Sequence, residues 1–517
     1  MARWWWLGAV CTTAAVAEPS VQLSQCLPIE YQLKRHTVFD PNDHSFSWFH
    51  RLGNQLHFLT KEQTINTELN AFPICEISDD SLYEVERHLR GKRYFRDAKV
   101  TAQQGNQVLV ETWDTWSLLP IIEFSRSAGE NEFTAGIKDS NLGGYGVDAE
   151  LVYFDDYQRS GYELKLKAPL YGWDNYYGRM ALADTEDGDR MLLELSKPFL
   201  GSLSQQAMLA GAELDDRIDA IDQNDQEVNR FRHQLERYQA WYGWAPVLWR
   251  HHSRRFQLGF THERHRFTND NGSTALLPQD RQLDLLWAGV RWHQDRFQRR
   301  QNLFLINTTE DVNLGWTAQL RLGWSFSDNE QGEYAEFSFD KGTELSESLL
   351  WLTQFQWRDQ PNATEQSHFA SFTNELFYSL GESWRWYGKW ASRWSDNLPL
   401  DTPNALGGFT GLRGYPAEYQ HGDSVNLLTT ELRYYPGIDI WQLAEVAGTV
   451  FYDIGRASGG SDYPNNPAGV LQSVGVGLRF YISHGGRNVL HLDFARPISD
   501  NDNVNEWEWR AVARRRF

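Results

Sequence analysis

GGFTGLRGYPAEY, residues 407–419, carries four glycines, one arginine between Leu412 and Gly414, and then aromatics. Glycine at this density marks tight turns or close backbone approach, not a helix or a plain strand. A lone arginine at the tip of such a loop seeks a carboxylate, best held bidentately and backed by an aromatic face. The stretch AEVAGTVFYDIGRA, residues 444–457, offers both. Ala444, Val446, Val450, Tyr452 and Ile454 alternate on one face, which leaves Glu445, Thr449, Phe451 and Asp453 on the other. Phe451 and Asp453 are then neighbours, aromatic beside carboxylate. For Arg413 to reach them, its loop must fold inward over the polar face of a sheet.

The same alternation recurs from about Trp116 onward. In QSVGVGLRFYI, residues 472–482, Val474, Val476, Leu478, Phe480 and Ile482 face one way. Leu490, Leu492 and Phe494 oppose His491 and Asp493; Tyr162, Leu164, Leu166 and Ala168 oppose Glu163, Lys165 and Lys167. The segments suit a tilted membrane strand of about ten residues. Aromatics gather at their ends, as in YGWDNYYG and RYQAWYGWAPVLW, where a bilayer has its interfaces. Trp507, Trp509, Ala511, Ala513 and Phe517 share a face of the last strand, interrupted by Arg515. Trp507, Trp509 and Phe517 read as a C-terminal assembly signal. Candidate strands number roughly sixteen to twenty, ambiguous between 200 and 345, and the sheet has to close because lipid cannot satisfy a free edge. IDAIDQNDQEVNR and FTNDNGSTALLPQDRQ read as long external loops.

Composition agrees. The 517 residues include 23 Trp, 22 Tyr and 28 Phe, yet mean hydropathy is −0.58. The net charge of −20 argues against nucleic acid, which wants a basic face. Residues 1–17, MARWWWLGAVCTTAAVA, have a short positive start, an apolar run too short to span a bilayer and a small-x-small end, so they read as a secretory signal peptide. Residues 18–32 form an N-terminal linker. Residues 33–113 form a small α+β unit: TKEQTINTELNAF is helical, and Ser78 caps a second helix that Gly91 stops. FRDAKVTAQ and NQVLVETWD follow as strands around Gly105-Asn106. Residues 114–517 form the barrel, with the inward-folded loop at 395–425. Beyond the signal two cysteines remain, Cys26 and Cys75; an oxidising compartment favours a disulfide between them, the alternative being two free thiols.

GGFTGLRGY resembles the inward-folded loop signature of the BamA/TamA superfamily (bacterial surface antigen family) of outer-membrane assembly factors, and FYDIG resembles the strand motif that receives its arginine. KDSNLGGYG is similar to that family's early-barrel turn, and GLRFYISHGGRNVLHLDFARPI to its next-to-last hairpin. HLRGKRYFRDAKV with NQVLVETWD resembles a polypeptide-transport-associated (POTRA) domain. The resemblance implies a sixteen-stranded antiparallel transmembrane β-barrel behind one POTRA-like periplasmic domain, in the bacterial outer membrane. It implies Arg413 docked near Phe451 and Asp453, Gly407, Gly408 and Gly414 allowing the loop to turn and approach the wall, and Tyr415 completing the signature. First and last strands, near 118–126 and 506–517, meet at a seam. The implied function is insertion or translocation of unfolded outer-membrane or exported polypeptides, or of lipid, with outer-membrane lipid and accessory periplasmic proteins as further partners. A single POTRA departs from the multi-domain members and points to a specialised role. A passive pore or structural barrel is the rival reading, and it predicts a zipped seam and an open lumen.

No enzyme is expected. G-x-S-x-G, C-x-x-C, H-E-x-x-H and phosphate-cradling glycine loops are all missing from the sequence. Single histidines such as His421 and His484 lack metal spacing and fit loops, so neither a metal nor a cofactor is expected.

Overall fold

The computed structural model describes residues 29–39, 48–72, 74–127, 130–270, 276–328, 330–362, 366–408, 410–441, 444–463, 466–482, 489–499 and 503–514. The expected signal peptide, Cys26, His484 and Phe517 lie outside these residues. Cys75 is disulfide-bonded, and its partner falls outside them too.

The N-terminal unit runs β1 (Glu30–His36), α1 (Trp48–Leu56), α2 (Glu62–Ala71), α3 (Asp79–Arg90), β2 (Phe95–Ala102) and β3 (Gln107–Asp114). Its sheet has the order β1-β3-β2, with β1 parallel and β2 antiparallel to β3. Thus β1 and β2 are the sheet edges. α3 begins where Ser78 Oγ accepts from Ser81 N at 3.3 Å and ends at Gly91. Ile65, Leu69, Val85 and Leu89 from the helices pack on Val108 and Val110 of β3. β1 and α1 were not visible in the sequence pattern, and β1 starts before the expected boundary at residue 33.

Beneath that core lies a buried polar cluster. Glu68 of α2 accepts from His88 Nε2 at 3.1 Å and from Tyr94 Oη at 3.0 Å, and Lys92 pairs with it. Burial works to raise the Glu68 carboxyl, but Lys92 and His88 outweigh it and hold it at about 2. Burial, reinforced by Lys92, pushes the His88 imidazole down to about 4 against the pull of Glu68. Both groups bind fewer protons folded than unfolded. The stability they contribute is full above their ordinary values of 6.5 and 4.5. It falls as the pH drops, through His88 first and then through Glu68. Hydrogen exchange of α2 and α3 in the full-length protein, corrected for intrinsic rates, should therefore quicken from pH 7 to pH 4.5. Unchanged protection would show that the cluster is not coupled to folding.

From Leu118 the chain forms a closed antiparallel barrel of 20 strands. The sixteen strands that the resemblance implies are corrected to twenty, the upper end of the range of candidate strands, and the middle of the chain holds longer strands than expected. IDAIDQNDQEVNR is not a long loop. It is the ends of two long strands, Gln206–Gln223 and Gln226–Trp244, joined by a two-residue turn. Asn224 and Asp225 both take positive φ, 54° and 59°, the conformation a tight hairpin of this twist requires. In FTNDNGSTALLPQDRQ the strand His252–Asn269 reaches into the segment, and Arg281 opens the next strand. Ile122, Tyr162, Leu286, Val450 and Val476 are exposed on the outer wall. An apolar belt of this kind around a closed barrel is stable against hydrocarbon, not water. No helix among the described residues is long and apolar enough to cross a membrane.

The turn KDSNLGGYG docks this barrel on the N-terminal unit. Gly144, at φ +82°, brings its carbonyl to Lys61 N at 3.0 Å and Thr64 Oγ1 at 2.9 Å, and a Cβ there would lie 2.6 Å from Leu59 O. This near end of the barrel faces the N-terminal unit, and the far end lies opposite.

Candidate functional site: the lumen loop, the near-end hairpin and the seam

Between the strands Trp384–Asp396 and Ser424–Ile440 the chain leaves the far rim and folds into the lumen. A short pairing of Ala405–Leu406 with Gln420–His421 closes the loop on itself. Gly407 has to be glycine: a Cβ would sit 2.2 Å from Pro416 O. Gly408 N donates to that same oxygen at 2.8 Å. Gly414, at φ +87°, lies against Ala495 and Pro497 of the wall. Leu412, Tyr415 and Tyr419 are fully buried against Val425, Leu427, Ala457 and Leu471. Tyr415 Oη donates to Gln472 O at 3.0 Å and accepts from Gln472 N at 3.1 Å.

The structure brings Arg413, Phe451 and Asp453 together. Arg413 Nε donates to Asp453 Oδ2 at 2.7 Å and Nη2 to Oδ1 at 2.8 Å, while the guanidinium carbon stands 3.4 Å above the Phe451 ring. Arg413 is 5% exposed and Asp453 fully buried. Sequence reasoning missed the third partner: Nη1 donates to Glu431 Oε1 at 2.8 Å. Glu431 Oε2 in turn accepts from Arg433 Nε at 2.8 Å. Asp493, 4.0 Å from Arg413 Nη1, pairs with Arg479 at 2.7 Å. The result is an alternating lattice, Arg413, Arg433 and Arg479 against Asp453, Glu431 and Asp493. Thr429, Glu431, Arg433 and Tyr435 share one face of their strand by the period-two rule, which is the signal that could have found Glu431.

A second element enters from the near end. Between the barrel strands Arg281–Gln294 and Trp316–Ser325 the chain forms a hairpin of Phe297–Gln301 and Thr309–Asn313. Its base is clamped to the N-terminal unit. Asp311 accepts from Arg90 Nη2 at 2.9 Å and from Tyr83 Oη at 2.8 Å, and the Arg87 guanidinium stacks on Phe297 at 3.8 Å. Its tip crosses to the wall. Leu305 and Ile306 pack on Tyr435, Ala447, Tyr481 and Val489. Arg433 Nη1 donates to Leu303 O at 2.9 Å, and Asn307 Nδ2 to Glu445 Oε2 at 2.7 Å. Arg433 is therefore shared between the hairpin and the latch of the loop.

The seam is thin. Among the described residues one register pair, Arg510↔Ser125, joins the last strand, Glu508–Arg514, to the first, Leu118–Ser127. The adjoining ladders have ten pairs within the first hairpin and seven within the last. Phe124 and Trp509 stack across the seam with centroids 5.0 Å apart, and Trp507 is exposed beside them. Arg510 Nη1 also donates to Gly408 O at 3.0 Å, so the lumen loop touches the seam strand.

BamA from Haemophilus ducreyi lacking POTRA domains 1-3 aligns over 94% of this chain and 84% of its own, with 14% identity and a TM-score of 0.40. CdiB from Escherichia coli aligns over 94% and 76%, with 14% identity and a TM-score of 0.46. The heme/hemopexin transporter protein HuxB of Haemophilus influenzae strain 86-028NP is 28% identical over 156 residues, 28% of this chain and 26% of HuxB. HuxB of strain ATCC 51907 is 29% identical over 149 residues. The matched region thus spans about a quarter of the length of these curated relatives. No protein-family model matches the chain.

Proposed function

We propose that this protein inserts or translocates polypeptides at the bacterial outer membrane, its N-terminal unit in the periplasm, through a gated lumen and a lateral seam. The observation that carries this reading is the single register pair, among the described residues, between first and last strands, beside ladders of ten and seven. A loosely paired strand end is a template on which an incoming strand can form its own hydrogen bonds. β2, an edge of the N-terminal sheet, offers the same chemistry on the periplasmic side. The partners are unfolded outer-membrane or exported polypeptides and the surrounding outer-membrane lipid, with accessory periplasmic proteins at the N-terminal unit. The mechanism is templating and gating; it needs no covalent step, and the protein is not an enzyme on this reading. A lumen entered by both loop and hairpin speaks against a passive pore. The name of the Haemophilus relatives adds heme/hemopexin transport as one cargo to test.

Photo-crosslinking residues at Lys99 of β2, at Ile122 and at Trp507 should capture nascent polypeptides in living cells. Capture of outer-membrane barrels indicates insertion, and capture of an exported chain indicates translocation. Capture of no polypeptide at any position, together with steady ion conductance of the wild type, would replace this reading with the passive pore.

A further inference from the structure

We propose that α1 is an interfacial helix whose outer face lies on the periplasmic leaflet of the bilayer beside the seam, with lipid as its partner. The proposal rests on the reading of the barrel as an outer-membrane span and is independent of polypeptide transfer.

α1 is nine residues long, WFHRLGNQL. A helix this short is marginal in water on its own, and its inner face is what holds it. His50 and Gly53 are buried. The His50 ring packs on Phe39 with centroids 4.6 Å apart, and a Cβ on Gly53 would sit 2.9 Å from that same ring. Asn54 Oδ1 accepts from Phe39 N at 3.0 Å, and Asn54 Nδ2 donates to Phe39 O at 2.9 Å. Trp48, Arg51, Leu52 and Gln55 follow the spacing i, i+3, i+4, i+7 and form the opposite face, and all four are exposed. Phe58, just past the helix, is exposed too. The helix holds no acidic residue. Rings and an aliphatic chain beside one cation suit the headgroup boundary, where the apolar parts sink and the guanidinium stays among phosphates.

The position of the helix decides its partner. His50 Nε2 donates to Trp441 O at 3.4 Å. Trp441 lies in the near-end turn between the strands Ser424–Ile440 and Ala444–Ser458. Ile438 and Ile440 are exposed, and Ile438 pairs with Val446 of the outward row. They bring the apolar belt of the outer wall down to Trp441, and the bond to His50 carries it on to α1. Trp441 and Trp48, 78% and 74% exposed, are the two most exposed tryptophans among the described residues, and this one bond joins their neighbourhoods. Tryptophan collects at a bilayer interface because its ring is apolar and its N–H is wet. On its other side α1 lies against Trp116, two residues before the first barrel strand. The strands Leu471–Ile482, Val489–Pro497 and Glu508–Arg514 stand between Ala444–Ser458 and Leu118–Ser127. α1 therefore touches both sides of the stretch of wall that contains the seam. Lipid contact there adds a foothold to those at Gly144 and at the hairpin base.

The test uses full-length, oxidised protein in phospholipid nanodiscs, with a single bimane label at Leu52→Cys, Lys99→Cys or Ile122→Cys. A doxyl-labelled phospholipid quenches from the bilayer, and iodide quenches from water. All three sites are exposed, so the labels leave the packing intact. Doxyl should quench Ile122→Cys and Leu52→Cys by about half or more, and Lys99→Cys hardly at all. Trp48→Glu should cut the quenching at Leu52→Cys about twofold or more and leave Ile122→Cys unchanged. Leu52→Cys quenched by iodide and not by doxyl, beside a doxyl-quenched Ile122→Cys, would overturn the proposal by showing water on that face. Leu52→Cys shielded from both quenchers would overturn it by showing a second copy or another protein there. Loss of doxyl quenching at Ile122→Cys would remove the membrane span and the proposal with it.

Discussion

Arg413→Ala should release the lumen loop. Asp453 and Glu431 are buried and face Arg413 at 2.7–2.8 Å. Removing the guanidinium leaves buried Asp453 without its bonded counterion and Glu431 with Arg433 alone. Breaking a buried pair from one side costs about 3–5 kcal/mol, several times what a surface pair contributes. Arg413→Lys should rescue little. One ammonium cannot reproduce three directed N–H bonds and a flat stack on Phe451. Phe451→Leu removes only the stack and should cost about 1–2 kcal/mol. Limited proteolysis within 397–423 on detergent-solubilised protein gives the order: Arg413→Ala cut fastest, Arg413→Lys close behind, Phe451→Leu nearer wild type. A combined Arg413→Met/Asp453→Leu variant should be cut more slowly than Arg413→Ala, because the uncompensated charge is what opens the site. Equal cleavage of wild type and Arg413→Ala would mean that the apolar cluster of Leu412, Tyr415 and Tyr419 holds the loop unaided.

That cluster and the latch were unequally legible in sequence. Arg413, Phe451 and Asp453 could be joined because their chemistry is complementary and a period of two placed Phe451 and Asp453 on one face. Glu431, Arg433, Arg479 and Asp493 obey the same period, but many strands carry inward charges, and only closure of the barrel decides which of them meet. IDAIDQNDQEVNR was read as a long loop for a local reason. Asn224-Asp225 is a two-residue turn inside an acidic, polar run, and polarity was read as loop when it marked the inner face of long strands. The near-end hairpin left no trace in the pattern. FQRRQ and TEDVN have almost no apolar alternation, since each strand pairs only with the other and draws its burial from the N-terminal unit and the far wall.

Excising the hairpin should open the near end and loosen the far-end loop in one step. Its tip is buried against Tyr435, Tyr481 and Val489, and its base is tied to Arg90 and Tyr83, so it fills the space between the N-terminal unit and the opposite wall. A short Gly-Ser linker in place of 298–312, combined with Arg90→Met so that no buried guanidinium is stranded, should turn a closed barrel into one that conducts ions in planar bilayers. The reach to the loop follows from a continuous row of bonds. Leu303 O accepts from Arg433, Arg433 donates to Glu431, Glu431 accepts from Arg413, and Arg413 donates to Asp453. When the hairpin leaves, Arg433 loses one anchor and water enters beside Glu431. The attraction between Glu431 and Arg413 then weakens as the local dielectric rises. Loop cleavage should therefore quicken in the excised protein with Arg413 still present. Contacting residues in one network commonly couple by about 0.5–3 kcal/mol, so a cycle of hairpin excision against Arg413→Ala should be clearly non-additive. Additive effects would separate the two elements into independent plugs, and passage of a polypeptide would then need two release events where the shared Arg433 implies one.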